Sequence, residues 1–308
     1  MDEKIRDRLC GVAVGAALGD AFGMPLEFKP PSPAGRLVRT LTAGRLDAGS
    51  FTDDTEMALA LAESLLAHAP LDGDDLAQRF VDWYRRGPSD VGIQTGSVLG
   101  AIRRGQGWQA AVVDAQRANP ESAGNGSLMR CWPVALRWWN DPRQLALDSA
   151  VQSWVTHPHP DCIAGSVFIN NWIAGLIGGA GKRTAFDLAL ASVELSQGLR
   201  DVIVHAPDCQ RAELKNSGWV RHTLETAAWA VLTTSSFEEA VIQAANLGND
   251  ADTGAAVTGA VAGAAYGLSG IPADWQTGLH GEWPVGSGKF LKADDLIDFA
   301  LRLSQTVS

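Results

Sequence analysis

Charged side chains are scarce in this 308-residue chain. They make up 19% of it, against roughly 25% in an average soluble domain. The 25 Lys and Arg are outnumbered by 35 Asp and Glu, for a net charge of −10. That balance argues against binding a nucleic-acid backbone or an anionic membrane surface. A phosphate-bearing ligand would need local cations or backbone N–H groups. The four cysteines, Cys10, Cys131, Cys162 and Cys209, are scattered. No two stand at CxxC spacing, which excludes a zinc knuckle and a redox pair. Reduced, buried thiols in a cytoplasmic protein are the expectation. The stretch Met1–Leu9 is charged throughout and lacks a secretory pattern. Long apolar runs are missing too: Leu9–Leu18 and Gly254–Gly270 both fall short of the ~20 residues a membrane span needs. Gly259, Gly263 and Gly267 stand four apart, as in paired membrane helices. Carboxylates just before them favour tight helix packing inside the fold. Alternating β-branched runs are nearly absent, Arg200–His205 being the one short strand candidate.

What is present is helical. Apolar residues reach 46%, which excludes disorder, and the length is ample for a large core. Leu76, Phe80, Trp83 and Tyr84 share one helix face, and Arg86-Gly87-Pro88 ends that helix. Ala58, Leu61, Ala62 and Leu65 make another face. Ser236-Phe237-Glu238-Glu239 reads as a capping box ahead of an apolar run. Gly, Pro and Ser gather at Lys29–Gly35, Thr42–Ser50, Gly178–Gly181 and Gly281–Gly288, none long enough for an interdomain linker. The pattern predicts one compact all-α domain over residues 1–308, with about a dozen helices and no sheet of consequence.

Two acidic clusters carry the most information: Thr52-Asp53-Asp54-Thr55 and Asn249-Asp250-Ala251-Asp252-Thr253. Each follows a turn and opens a helix. Asp and Thr are good N-caps, and the helix dipole favours negative charge there. A cap needs one such residue, whereas each cluster crowds two carboxylates. If the clusters met in the fold, they would offer four carboxylates with hydroxyl and carbonyl oxygens. With no Cys or His among them, this set suits Mg²⁺ or Mn²⁺, as one ion or a pair, better than zinc. Paired caps remain the alternative.

Ser122-Ala123-Gly124-Asn125-Gly126-Ser127-Leu128-Met129-Arg130 is a glycine turn feeding a helix. Its backbone N–H groups could cradle an anion, although it lacks the lysine of a Walker loop. Glu27, in a loop among apolar neighbours, would have a raised pKa if buried, as a useful acid or base does. A plain surface glutamate is the alternative. His157 on its own reads as a core or turn-capping histidine. His157-Pro158-His159 lacks a third soft ligand for zinc.

Together these residues resemble the ADP-ribosylglycohydrolase family, of the dinitrogenase-reductase-activating and ADP-ribosyl-acceptor hydrolase type. Six blocks match in order, from about Cys10 to about Trp275. They are Gly15–Phe28, Phe51–Leu59, Asp90-Val91-Gly92, Gly124–Arg130, Thr156-His157 and Leu247–Gly267. The resemblance implies an all-α orthogonal helical bundle with a dinuclear Mg²⁺ or Mn²⁺ site at the base of a cleft. Its metal ligands would be Thr52, Asp53, Asp54, Asp250, Asp252 and Thr253. Ser122, Gly124, Asn125, Gly126 and Ser127 would line the diphosphate, His157 the phosphates or ribose, and Asp90 the distal ribose or leaving group. The implied reaction is hydrolysis of the bond between ADP-ribose and an acceptor such as a protein arginine, with Glu27 or Asp54 as acid or base. ADP-ribosylated proteins or small ADP-ribose conjugates would be the partners.

Two departures stand out. Asn249 replaces the usual second glycine of the late motif, which affects a turn and leaves the ligands intact. No aromatic precedes Gly124, so adenine must stack elsewhere, with Trp132, Trp154, Trp219 and Tyr266 as candidates. A terpene-cyclase-like diphosphate enzyme is disfavoured by the spacing of Asp53-Asp54-Thr55-Glu56 and by Val257 where that motif needs Glu. A non-enzymatic ADP-ribose-binding relative is disfavoured by retention of all six ligand positions and Glu27.

Overall fold

A computed structural model describes residues 1–305. Fifteen α-helices carry the described residues. In order they are α1 (Glu3–Gly23), α2 (Asp53–Ala67), α3 (Gly73–Arg85), α4 (Ile93–Arg103), α5 (Trp108–Ala118), α6 (Trp132–Trp138), α7 (Pro142–Trp154) and α8 (Pro160–Ile177). There follow α9 (Lys182–Ser192), α10 (Gln197–His205), α11 (Val220–Thr233), α12 (Phe237–Ala245), α13 (Ala251–Tyr266), α14 (Ala273–Gly278) and α15 (Ala293–Leu303). The fold is nearly all-helical, as the sequence predicts. The one sheet among the described residues is an antiparallel pair, β1 (His280–Glu282) and β2 (Phe290–Lys292), in which Gly281 faces Leu291. Arg200–His205, the strand candidate, is the body of α10. Its apolar residues Leu199 and Ile203 stand four apart and are buried together, so the helical period prevails over β-branching.

The pairing of α1 with α13 organises the molecule. Gly11, Gly15, Gly19 and Gly23 form a stripe along α1. A Cβ on any of them would run into main-chain carbonyls of Gly263, Gly259, Ala255 and Ala251 respectively. The partners advance along one helix as they retreat along the other, so the two helices run antiparallel, backbone against backbone. The four-residue spacing of Gly259 and Gly263 is the other half of this contact, the tight packing expected from the sequence. Helix α1 and the turn after it, Glu3–Leu26, are long and apolar enough to cross a membrane by length and composition, but that apolar window is wholly buried inside the protein.

The antiparallel arrangement has a positional result. The C-terminal end of α1, leading to Glu27, lies beside the N-terminal end of α13, where Asp250 and Asp252 stand. Helix α2 is fixed to the same end by Asp20 of α1, which is fully buried and accepts four hydrogen bonds. These come from the N–H of Thr52 at 2.9 Å, its hydroxyl at 2.6 Å, the N–H of Thr55 at 3.1 Å and its hydroxyl at 2.6 Å. A carboxylate from another helix thus satisfies the N–H groups at the start of α2 that the helix itself cannot.

Elsewhere the cap signals hold in part. Ser236 accepts from the N–H of Glu239 at 3.1 Å, but the Glu239 carboxylate turns to Arg39 and Gln243 instead of closing the box. Gly87, at φ +70°, stands just beyond α3.

Candidate active site and carboxylate cluster

The ends of α1, α2 and α13 meet at the floor of a cavity of about 900 Å³. Glu27, Asp53, Asp54, Asp90, Asp250, Asp252 and Thr253 line it. The two acidic clusters do converge: the Thr253 hydroxyl donates to Oδ1 of Asp54 at 3.3 Å. Single carboxylate oxygens of Glu27, Asp250 and Asp252 lie within 4.8 Å of one another. Thr52 is at the same end, but its hydroxyl donates to Asp20 and it does not face the cavity.

Backbone strain holds this floor. Phe28 and Asn249 both adopt left-handed backbone, at φ +59° and +54°. They bond across to one another's strands: the Phe28 N–H donates to the Asn249 carbonyl at 2.6 Å, and the Asn249 N–H to the Lys29 carbonyl at 2.7 Å. This bridge ties the residue after Glu27 to the residue before Asp250. Gly248, at φ +67°, completes the turn, where left-handed backbone suits glycine.

The electrostatics follow from crowding negative charge where water is excluded. Burial, then the charges of Asp90 and Asp20, pushes Asp53 well above the usual carboxylate range. Burial, then Asp20 and Asp53, does so for Asp54, and burial, then Asp54 and Asp250, for Asp252. Glu27 and Asp250 are raised mainly by burial. Glu56, buried behind the cluster, is pushed up to about 7 by burial, against the hydrogen bond it accepts from Trp83 Nε1 at 2.7 Å.

One side chain offsets this charge. Arg45, from the loop between Glu27 and α2, pairs with Glu27, and its Nη2 lies 3.4 Å from Asp90 and 3.7 Å from Asp252. The offset is incomplete. Oδ2 of Asp54 is buried with no hydrogen-bond partner among the described residues, an arrangement that is costly unless a cation faces it. The donors are all oxygens, as a hard divalent cation requires.

The glycine loop forms the adjoining wall. Asn125 is its hinge: Nδ2 donates to Asp250 Oδ2 at 2.5 Å and to the Thr223 hydroxyl at 2.8 Å. The Asn125 N–H donates to the Gly218 carbonyl at 3.0 Å. Ser122, Gly124, Asn125, Gly126 and His157 all face the cavity. Gly126 is needed for closeness, because a Cβ there would meet His157 Cε1 at 2.8 Å. Ser127 lies beneath the loop, fully buried, with its hydroxyl accepting from Ser153 at 2.9 Å. His159 caps α8 by accepting from the Asp161 N–H at 3.1 Å, so it takes no part in the site.

None of Trp132, Trp154, Trp219 and Tyr266 lines the cavity. Trp132 is core, Trp154 faces a second groove, and Tyr266 accepts from Lys182 at 2.8 Å. The aromatic that does line it is Phe28, 79% exposed, and Ile93, 95% exposed, lines it too. Sequence reasoning also missed Asp20 and Arg45. Asp20 lies within the Gly15–Phe28 block and reads there as one more helical residue. Arg45 sits in an aperiodic loop that carries no signal.

Against known proteins, a family model described as ADP-ribosylglycohydrolase matches residues 1–307. An ADP-ribosylarginine hydrolase Tri1 of Serratia proteamaculans is 36% identical over 283 residues, covering 87% of this chain and 74% of that protein. An ADP-ribosyl-[dinitrogen reductase] glycohydrolase of Rhodospirillum rubrum is 32% identical over 281 residues, covering 89% and 91%. A solved structure titled as an ADP-ribosylglycohydrolase-related protein complex superposes with a TM-score of 0.80 at 31% identity, covering 98% of this chain and 99% of its own.

Proposed function

The chain belongs to the ADP-ribosylglycohydrolase family, and from that premise we propose that it hydrolyses the bond between the anomeric carbon of ADP-ribose and an arginine side chain. The observation that carries the reading is the meeting of the two acidic helix starts, with an unpartnered Asp54 oxygen, beside the glycine loop in one cavity. The arginine acceptor is supported by the relative from Serratia proteamaculans, whose name gives an ADP-ribosylarginine as substrate, and a protein acceptor by the relative from Rhodospirillum rubrum, whose name gives an ADP-ribosylated dinitrogen reductase.

Asp53, Asp54, Asp250, Asp252 and Thr253 would hold divalent cations, Mg²⁺ or Mn²⁺ and two in number by the family resemblance, with Thr52 at the edge of that set. When bound, such ions supply Lewis acidity and neutralise the carboxylates. The rest falls to the chain itself. The glycine loop and His157 bind the diphosphate, which a chain of charge −10 can do through oriented backbone amides. Asp90, joined to Glu27 through Arg45, would face the distal ribose or the leaving group. As the C1″–N bond breaks, the sugar gains oxocarbenium character. Water adds its oxygen to C1″ and gives up a proton, and the departing guanidine nitrogen takes one. Glu27, with its pKa raised by burial, is placed to move that proton, and Asp54 is the other candidate.

The test is a turnover panel of arginine-, serine- and nucleotide-linked ADP-ribose with each metal. Release of ADP-ribose from the arginine conjugate, abolished by chelator and by Asp252→Asn, is expected. Undiminished turnover in excess chelator would overturn the reading.

A further inference from the structure

Arg130 is fully buried, yet its hydrogen bonds all go to uncharged groups. Its guanidinium lies 4.4 Å from the ring centroid of Phe80. Nε donates to Gln152 Oε1 at 3.2 Å, and Nη2 donates to the Gln152 carbonyl at 2.9 Å and to the Thr156 hydroxyl at 2.7 Å. Thr156 is itself fully buried, and its hydroxyl oxygen lies 2.7 Å from Nδ1 of His157.

The direction of these bonds is forced. A guanidinium has donors only, so the Thr156 oxygen accepts from Arg130. The hydroxyl then has one proton to give, and among the described residues the one acceptor in reach is His157 Nδ1. If Nδ1 carried a proton instead, the buried hydroxyl proton would be left without a partner, at the full desolvation cost. Nδ1 is therefore the acceptor, and the ring proton of the neutral imidazole resides on Nε2. The ring is held neutral by burial and by the nearby charge of Arg130, which push its pKa down to about 3.

Nε2 is the edge that meets the glycine loop. A Cβ on Gly126 would lie 3.1 Å from it, and one on Gly124 would lie 3.4 Å away. His157 faces the cavity there, and Nε2 has no hydrogen-bond partner among the described residues. We propose that Arg130 and Thr156 are positioning residues that lock His157 as the Nε2–H tautomer, so that it presents a fixed, uncharged donor to the diphosphate of a bound nucleotide. The ligand named here rests on the ADP-ribose reading above; the tautomer lock does not. Arg130 also places a buried positive charge behind the loop, which gives an acidic protein a local field suited to phosphate.

The experiment reads the tautomer and the affinity separately. Long-range ¹H–¹⁵N spectra of the ligand-free full chain near neutral pH are expected to show His157 with Nδ1 bare and Nε2 protonated. Thr156→Val should lose that single tautomer, and Thr156→Ser should restore it. Calorimetric titration with ADP-ribose and with inorganic pyrophosphate should show affinity weakened roughly tenfold in Thr156→Val and within about twofold of wild type in Thr156→Ser. A proton on Nδ1 in the wild type, or an unchanged tautomer in Thr156→Val, overturns the lock. Equal ADP-ribose affinity in all three proteins overturns the role in ligand binding. A wild type with Nε2–H that binds neither probe upholds the lock and sinks the ADP-ribose reading instead.

Discussion

The hydroxyl of Thr253 donates to the carboxylate of Asp54 at 3.3 Å, across 199 residues of sequence. This contact joins the start of α13 to the start of α2, and it makes one site of two helix starts. A single buried carboxylate can be satisfied by a cap. Several facing one another require protons or cations.

Replacing one of them therefore has two opposite effects. Asp252→Asn is expected to reduce hydrolysis to background, because a ligand oxygen and its charge are lost. The same change should raise the melting temperature of the metal-free protein, because a carboxylate repelled by Asp54 and Asp250 is gone. Calorimetry with Mg²⁺ or Mn²⁺ should show weakened binding. A variant that binds the ion like the wild type would count against this assignment.

The pH dependence follows from the same crowding. Asp53, Asp54 and Asp252 are held well above the usual carboxylate range and Glu56 at about 7. Their contribution to stability is fully present below the unfolded values, near 4, and is lost as pH rises through the folded ones. His157, at about 3 when folded, works the other way: its contribution is present above 6.5 and lost as pH falls towards 3. Between about pH 6.5 and 8 only the carboxylate effect remains. Chelated protein should melt at a lower temperature at the upper end of that window, and added divalent ion should stabilise it most there. Thermal scans at both ends check this; a flat profile would contradict it.

Arg45 offsets Glu27, Asp90 and Asp252 from a loop that remains about 29% exposed at this side chain. Arg45→Ala should cost the metal-free protein about 1 kcal/mol, a figure held low by solvent screening. Saturating divalent ion should recover most of that loss. Urea denaturation with and without the ion would reveal it, and a loss that the ion leaves unchanged would argue for a purely local packing role.

Gly19 meets the backbone of Ala255 directly. Gly19→Ala is expected to destabilise by about 1–3 kcal/mol, as overpacking does, despite the better helix propensity of alanine. Asn249→Gly, by contrast, should be neutral or slightly stabilising, because φ is +54° there, while Asn249→Ala should cost about 1 kcal/mol. Chemical denaturation of the three variants gives the ranking; a stable Gly19→Ala protein would mean that the helices can part.

Much of this was legible in the sequence because helical period and carboxylate crowding are local signals. Leu76, Phe80 and Trp83 announce a helix face without knowledge of their partners, and Asp53-Asp54 is conspicuous in isolation. Asp20 was not legible, because its role is to receive Thr52 and Thr55 from another helix. Arg45 was illegible for the same reason: three long-range pairs define it. The sequence offers Trp132, Trp154, Trp219 and Tyr266 for stacking on adenine, whereas the aromatic that lines the cavity is Phe28, carried there by a left-handed backbone that its residue type disfavours.

Where the glycines of α1 meet α13, main chain faces main chain, so no rotamer there can be exchanged to widen or narrow the floor. An engineer seeking a new acceptor would gain nothing by mutating that seam. Latitude lies at the rim, where Phe28 and Ile93 stand in solvent and can be redrawn while the foundation keeps its dimensions.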